Sequence, residues 1–211
     1  MNSKIRKYLS NDKWYHGTTL YNAKKIIDNG IIVDYNKGNE LDFGYGFYLT
    51  PKKEQAESFI TKILEFNKNE VEELIIKNLG NTKKNNEDKK IPVVIEFDFM
   101  PIDLFESEKY NCMILNSYND DFAEFVFNNR LNNDDIQHNY DLIFGVMSDS
   151  LPIVLMQRYK NKELKKEEVL EGLKKTTSTK QLSIHNQAVC NLIKINKIYD
   201  INSGKELYLN D

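Results

Sequence analysis

The sequence predicts a mixed α+β domain. Short aromatic or β-branched runs alternate with amphipathic stretches, and these elements stop or start at glycine, proline or hydroxyl residues. Hydrophobic residues make up 40 % of the chain, yet no apolar run approaches the ~18 residues of a membrane span. One domain is expected over the 211 residues, 1–211. A chain of this length buries roughly 70 % of its unfolded surface on folding, so its core needs no staples.

Residues 1–12 carry charges but no apolar segment, and read as an N-terminal arm without a signal peptide. Trp14-Tyr15-His16-Gly17 is a strand stopped by glycine. Thr18 and Thr19 supply helix-start chemistry, Leu20, Ala23, Ile26 and Ile27 recur at helical spacing, and Gly30 stands at the C-cap, with a short strand to follow up to residue 33. After a polar loop, Asp42-Phe43-Gly44-Tyr45-Gly46 leads into an aromatic strand, Phe47-Tyr48-Leu49. Thr50-Pro51 reads as a helix start, with Ala56, Phe59, Ile60, Ile63 and Leu64 on one apolar face. A second helical pattern covers Val71 to Leu79, and residues 81–90 form an exposed loop without apolar residues.

Pro92 to Phe99 reads as a strand with Ile95, Phe97 and Phe99 on one face. Helices are expected over Asp120 to Asn129, Pro152 to Tyr159 and Lys166 to Lys175, and a central apolar strand over Tyr140 to Met147. Gln181 to His185 is a short strand with Leu182 and Ile184 on one face and Gln181, Ser183 and His185 on the other. A short helix from Asn186 and a strand near Ile193 to Ile201 complete the chain.

Composition narrows the function. Lys and Arg total 29 against 32 Asp and Glu, a net charge of −3, which is not the footprint of a dedicated nucleic-acid binder. Arg6, Arg130 and Arg158 are the only planar forks for phosphate. Cys112 and Cys190 read as reduced thiols in a cytoplasmic protein. His16, His138 and His185 lie far apart, HExxH and paired CxxC are absent, and no metal is expected. Gly44-x-Gly46 lacks the third glycine of a dinucleotide fingerprint and precedes a strand instead of a helix.

What remains is a pair of segments, His16-Gly17-Thr18 and Gly44-Tyr45-Gly46-Phe47-Tyr48. In this order they resemble the diphtheria-toxin and poly(ADP-ribose) polymerase class of ADP-ribosyltransferases. Over residues 13–195 the chain is closest to an uncharacterised bacterial domain-of-unknown-function family, number 3990. The residues that carry this are Asp42 to Thr50, Asn129-Arg130, Tyr140-Asp141 and a late Gln181.

The resemblance implies split antiparallel β-sheets with flanking helices around an NAD cleft, and NAD consumed as cosubstrate without a metal. It places His16 on an NAD ribose, the Gly17 backbone on the nicotinamide carboxamide, and Tyr48 stacked on the nicotinamide ring. Phe59 is matched to a second aromatic ring, while Thr18 and Gly46 belong to the cofactor-binding motifs. The catalytic set is then His16, Tyr48 and Gln181. Gln181 departs from the class glutamate: a neutral amide orients a ribose but neither stabilises an oxocarbenium-like charge as well nor acts as a general base. Mono-ADP-ribosylation of a macromolecular acceptor (protein or nucleic acid) or of a small molecule is therefore expected, as in bacterial or phage toxins and effectors. By analogy a neutralising antitoxin protein is a partner.

Two other readings stay open, an NAD glycohydrolase and a catalytically silent nucleotide- or protein-binding module. At single positions blander roles compete. His16 suits a backbone-bonded core histidine, Tyr48 and Phe59 suit core aromatics, and Gln181 suits an ordinary strand polar residue. Asp42 reads as a side-chain cap of the glycine turn. Arg130 and Asp141 read as structural, paired with each other, the alternative for Arg130 being an NAD phosphate. His185 reads as either cleft-lining or surface.

Overall fold

The computed structural model describes residues 1–66, 87–148, 152–175 and 179–208. The helix expected over Val71 to Leu79 and the first part of the 81–90 loop lie outside them. The chain divides into two compact units. Residues 1–32, 48–109 and 187–211 form the first, and residues 33–47 and 110–186 the second.

The first unit opens with helix α1 (Ser3–Leu9), capped by the Asn2 side chain and burying Ile5 and Leu9. The N-terminal arm is thus a helix. Its apolar signal is two residues spaced one turn apart, too little to stand out from the charges around it. Strand β1 (Lys13–Thr19) runs into helix α2 (Leu20–Asn29), with Thr19 as N-cap and Gly30 as C-cap. The strand expected up to residue 33 does not form.

Helix α3 (Lys53–Phe66) begins two residues beyond Pro51. Among its described side chains Ala56 and Ile60 are buried, while Phe59 is 41 % exposed, so Phe59 leaves the apolar face assigned to it. Strand β3 (Pro92–Asp98) pairs antiparallel with β1 on one side and with β7 (Lys194–Asp200) on the other. As the middle strand, with α2 and α3 both packed against it, β3 is buried from Pro92 to Phe97, and the one-sided pattern expected of it is not realised. Short helices α4 (Ile102–Phe105) and α8 (Gln187–Cys190) complete the unit.

The second unit is built on a sheet of order β2-β6-β5-β4, to which β2 (Phe47–Leu49) contributes Phe47. Strand β5 (Leu142–Val146) is wholly buried and interior, as its apolar run requires. It pairs antiparallel with β6 (Lys180–Ile184) and parallel with β4 (Cys112–Leu115). That parallel pair departs from the all-antiparallel expectation. The connection from β4 to β5 contains helix α5 (Asp120–Leu131), the crossover a parallel pair needs. Helix α5 packs with α6 (Pro152–Lys160) and α7 (Lys166–Leu173). In β6, Gln181 to Ile184 are all buried, so its polar face is not a solvent face. Cys112 and Cys190 are free thiols.

Candidate active site

Strand β1 is the edge strand of its sheet. Its register pairs His16 with Ile95 and Gly17 with Val94. Tyr15 exchanges both backbone hydrogen bonds with Thr50, at 2.9 Å each, on the side away from β3. On the β3 side the bonds come from even-numbered positions, as Phe99 N–H to Asp12 O and Leu20 N–H to Ile91 O show. Backbone groups alternate sides along an antiparallel strand. The N–H and C=O of Gly17 therefore point outward, as those of Tyr15 do. A continued ladder would pair Gly17 with Tyr48, but the 15–50 bridge is isolated. Gly17 is buried, and neither backbone atom finds a hydrogen-bond partner among the described residues. Buried backbone groups are almost always paired, so a donor and an acceptor left side by side are able to take a ligand.

The Tyr48 carbonyl is instead taken by the His16 ring, with Nδ1 2.8 Å from the oxygen. A carbonyl only accepts, so the proton sits on Nδ1 and the neutral ring has its lone pair on Nε2. Burial lowers the His16 pKa and outweighs the opposing pull of that carbonyl, so the ring is neutral near pH 7. His16, Gly17 and Tyr48 thus come together in the first unit.

Gly17 is needed for packing as well. A Cβ there would lie 2.2 Å from the Ala56 carbonyl oxygen of α3 and 3.3 Å from Ile60 Cβ. Phe59 lies on the same helix, three residues beyond Ala56, with its ring at the surface. Thr18 is buried, its backbone on the β3 side.

The glycine segment before β2 belongs to the second unit and has no regular structure, so side chains satisfy its backbone. Arg130 Nη1 donates to Glu40 O at 2.6 Å, His138 Nε2 to Phe43 O at 2.9 Å, and His185 Nδ1 to Tyr45 O at 2.8 Å. Asn36 closes on Gly46, accepting its N–H at 2.9 Å and donating to its O at 2.7 Å. A Cβ on Gly46 would meet Ile184 O at 2.6 Å and His185 Nδ1 at 2.7 Å. Packing and Asn36 therefore account for Gly46, and its backbone is already engaged.

Gln181 sits 7 % exposed in the same unit, and its Nε2 donates to Asp42 Oδ2 at 3.0 Å and to Val146 O at 3.3 Å. Asp42 is a buried anion. Arg130 donates to its Oδ1 through Nε at 2.9 Å and Nη2 at 2.7 Å, and Ser148 donates through N–H at 3.0 Å and Oγ at 2.6 Å. Burial pushes the Asp42 carboxyl up, but the Arg130 charge and the Ser148 hydrogen bonds outweigh it and hold it below the usual carboxylate range. Asp42 is thus the hub of a network and not a turn cap. Arg130 is structural, as expected, but pairs with Asp42, while Asp141 accepts from Asn111 N–H and Asn186 Nδ2.

A family model described as a protein of unknown function, DUF3990, matches residues 13–195, from the start of β1 past Gln181. The chain belongs to this family. No curated protein matches it.

In this DUF3990 member two of the side chains that matter most, Asn36 and Ser148, carried no sequence signal. Asn36 stood in a polar loop among other polar residues, and Ser148 is brought to Asp42 only by the fold. The described residues contain no group of three or more His, Cys, Asp or Glu able to hold a metal ion, and no helix among them is long and apolar enough to cross a membrane.

The histidines make stability pH-dependent. Burial lowers the pKa of His16 and His138, and that of His185 to about 3, the last also through the facing His138. His138 is locked neutral, since its Nδ1 accepts the Tyr140 N–H at 3.2 Å and its Nε2 donates to Phe43 O. Unfolded, these rings protonate near pH 6.5. Their contribution is fully present above that pH and is lost as pH falls toward the lowered folded values. Urea midpoints are expected to fall from pH 7.5 to pH 5.5, and equal midpoints would contradict the assigned protonation states.

Proposed function

We propose that the protein is an NAD-dependent mono-ADP-ribosyltransferase that expels nicotinamide and passes ADP-ribose to one acceptor. The observation that carries the reading is the outward-facing, unpaired N–H and C=O of Gly17 beside His16 and Tyr48. A primary carboxamide is the complement of that edge, because its C=O accepts from the Gly17 N–H while its NH2 donates to the Gly17 C=O. His16 is the proposed contact of a ribose hydroxyl, and the Tyr48 ring the proposed stacking partner of a flat leaving group. Phe59, with its exposed ring on α3, is the proposed second aromatic face. Gln181 is the proposed acceptor for a hydroxyl of the nicotinamide ribose, in place of the class glutamate.

Incubation with NAD tests the reaction. Nicotinamide release together with ADP-ribose on a protein or nucleic-acid fraction supports transfer, whereas release without any acceptor assigns hydrolysis. Absence of both under all conditions contradicts the reading and favours a silent binding module.

The carboxamide assignment makes a sharper claim. Nicotinic acid, and the dinucleotide that carries it, lack the NH2 that pairs with the Gly17 carbonyl and bring a carboxylate against it. They are expected to bind about 10- to 100-fold more weakly than their amide counterparts. Isothermal titration with both pairs checks this, and equal affinities would remove Gly17 from the site.

A further inference from the structure

We propose that Asp42 is the positioning residue for Gln181, holding the carboxamide with its nitrogen turned inward so that position 181 presents a hydrogen-bond acceptor only. The use of that acceptor on a ribose hydroxyl rests on the transferase reading above, whereas the locking itself does not. Both groups that meet Gln181 Nε2, the Asp42 carboxylate and the Val146 carbonyl, are acceptors. A flipped amide would set its oxygen against two oxygens inside a buried network, so only one orientation is sound. Gln181 Oε1 makes no hydrogen bond among the described residues, although the side chain is more than nine-tenths buried. Asp42 has no freedom to turn away, because Arg130 and Ser148 hold both of its oxygens.

The same geometry accounts for glutamine where the class has glutamate. A carboxylate at 181 would stand at hydrogen-bond distance from the Asp42 carboxylate, and two such anions cannot both stay ionised in a buried site. Residues 42 and 181 are therefore coupled.

Two measurements test this. In wild-type protein labelled with 15N-glutamine, the Gln181 side-chain amide, assigned by its loss in Gln181→Glu, is expected to exchange with water at least about 10-fold more slowly than a free carboxamide. Exchange at the free rate overturns the proposal. In a double-mutant cycle, Gln181→Glu is expected to lower the unfolding midpoint, and Asp42→Asn combined with Gln181→Glu to lose measurably less than the sum of the two single losses. Summed losses in the double variant overturn the proposal.

Nicotinamide release separates the two claims. If wild type consumes NAD, Gln181→Glu is expected to lower kcat about 10-fold or more. A protected amide and a coupled cycle in a protein that never consumes NAD would leave the positioning role standing and overturn the transferase reading. A freely exchanging amide in an active enzyme would do the reverse.

Discussion

Arg130→Ala is expected to cost about 3–5 kcal/mol of folding stability, the largest loss of any single substitution outside the apolar core. The pair is almost dry, with Arg130 and Asp42 side chains 8 % and 5 % exposed. Removing the guanidinium leaves a buried carboxylate with hydrogen bonds but no countercharge, and also frees the Glu40 carbonyl. Asp42 then regains the upward pull of burial, so the loss relative to wild type is expected to shrink on mild acidification, while the three histidines still lower the stability of both proteins as the pH falls. Urea unfolding of both proteins between pH 7.5 and 5.5 checks the size and the sign. A loss below about 1 kcal/mol, in the range of exposed ion pairs, would show that the network is not closed to water.

Tyr48→Ala is expected to reduce nicotinamide release by at least about 100-fold while leaving the fold intact. Only the side chain is lost. The Tyr48 carbonyl that orders the His16 ring is backbone and survives the change. Tyr48 is half-buried, between the buried Phe47 and Leu49. His16→Ala removes the proposed ribose contact and the ring's hydrogen bond to the Tyr48 carbonyl, and is expected to act in the same direction. Circular dichroism and an unfolding midpoint confirm that the variants are folded. Wild-type rates in folded Tyr48→Ala protein would take the ring out of the chemistry.

Much of this architecture was legible because it rests on local rules. Thr19 and Gly30 bound α2 as cap chemistry requires, and the apolar run of β5 named an interior strand. His16 and Tyr48 could be paired from the order of two motifs, although a distance between them could not. What stayed hidden depends on the path of the chain. Helix α1 has too few apolar positions to announce itself, and β4 is short and only half-buried except at Leu115. A pairing of Arg130 with Asp141 is compatible with the sequence, whereas its partner Asp42 lies 88 residues away and is brought to it only by the fold. Helical spacing puts Phe59 on the apolar face of α3, and spacing does not tell which side of a helix a sheet will cover. Gly17 and Gly46 share the same composition signal and differ entirely in use. The backbone of Gly46 is closed by Asn36, whereas that of Gly17 is open.

That open edge is what the functional account depends on, and the Gly17 amide reports on it directly. In 15N-labelled protein titrated with nicotinamide, the Gly17 amide proton is expected to move downfield and saturate as it donates to the carboxamide oxygen, while nicotinic acid at the same concentrations leaves it in place. A Gly17 resonance that stays still at saturating nicotinamide, or moves equally with the acid, would contradict the account.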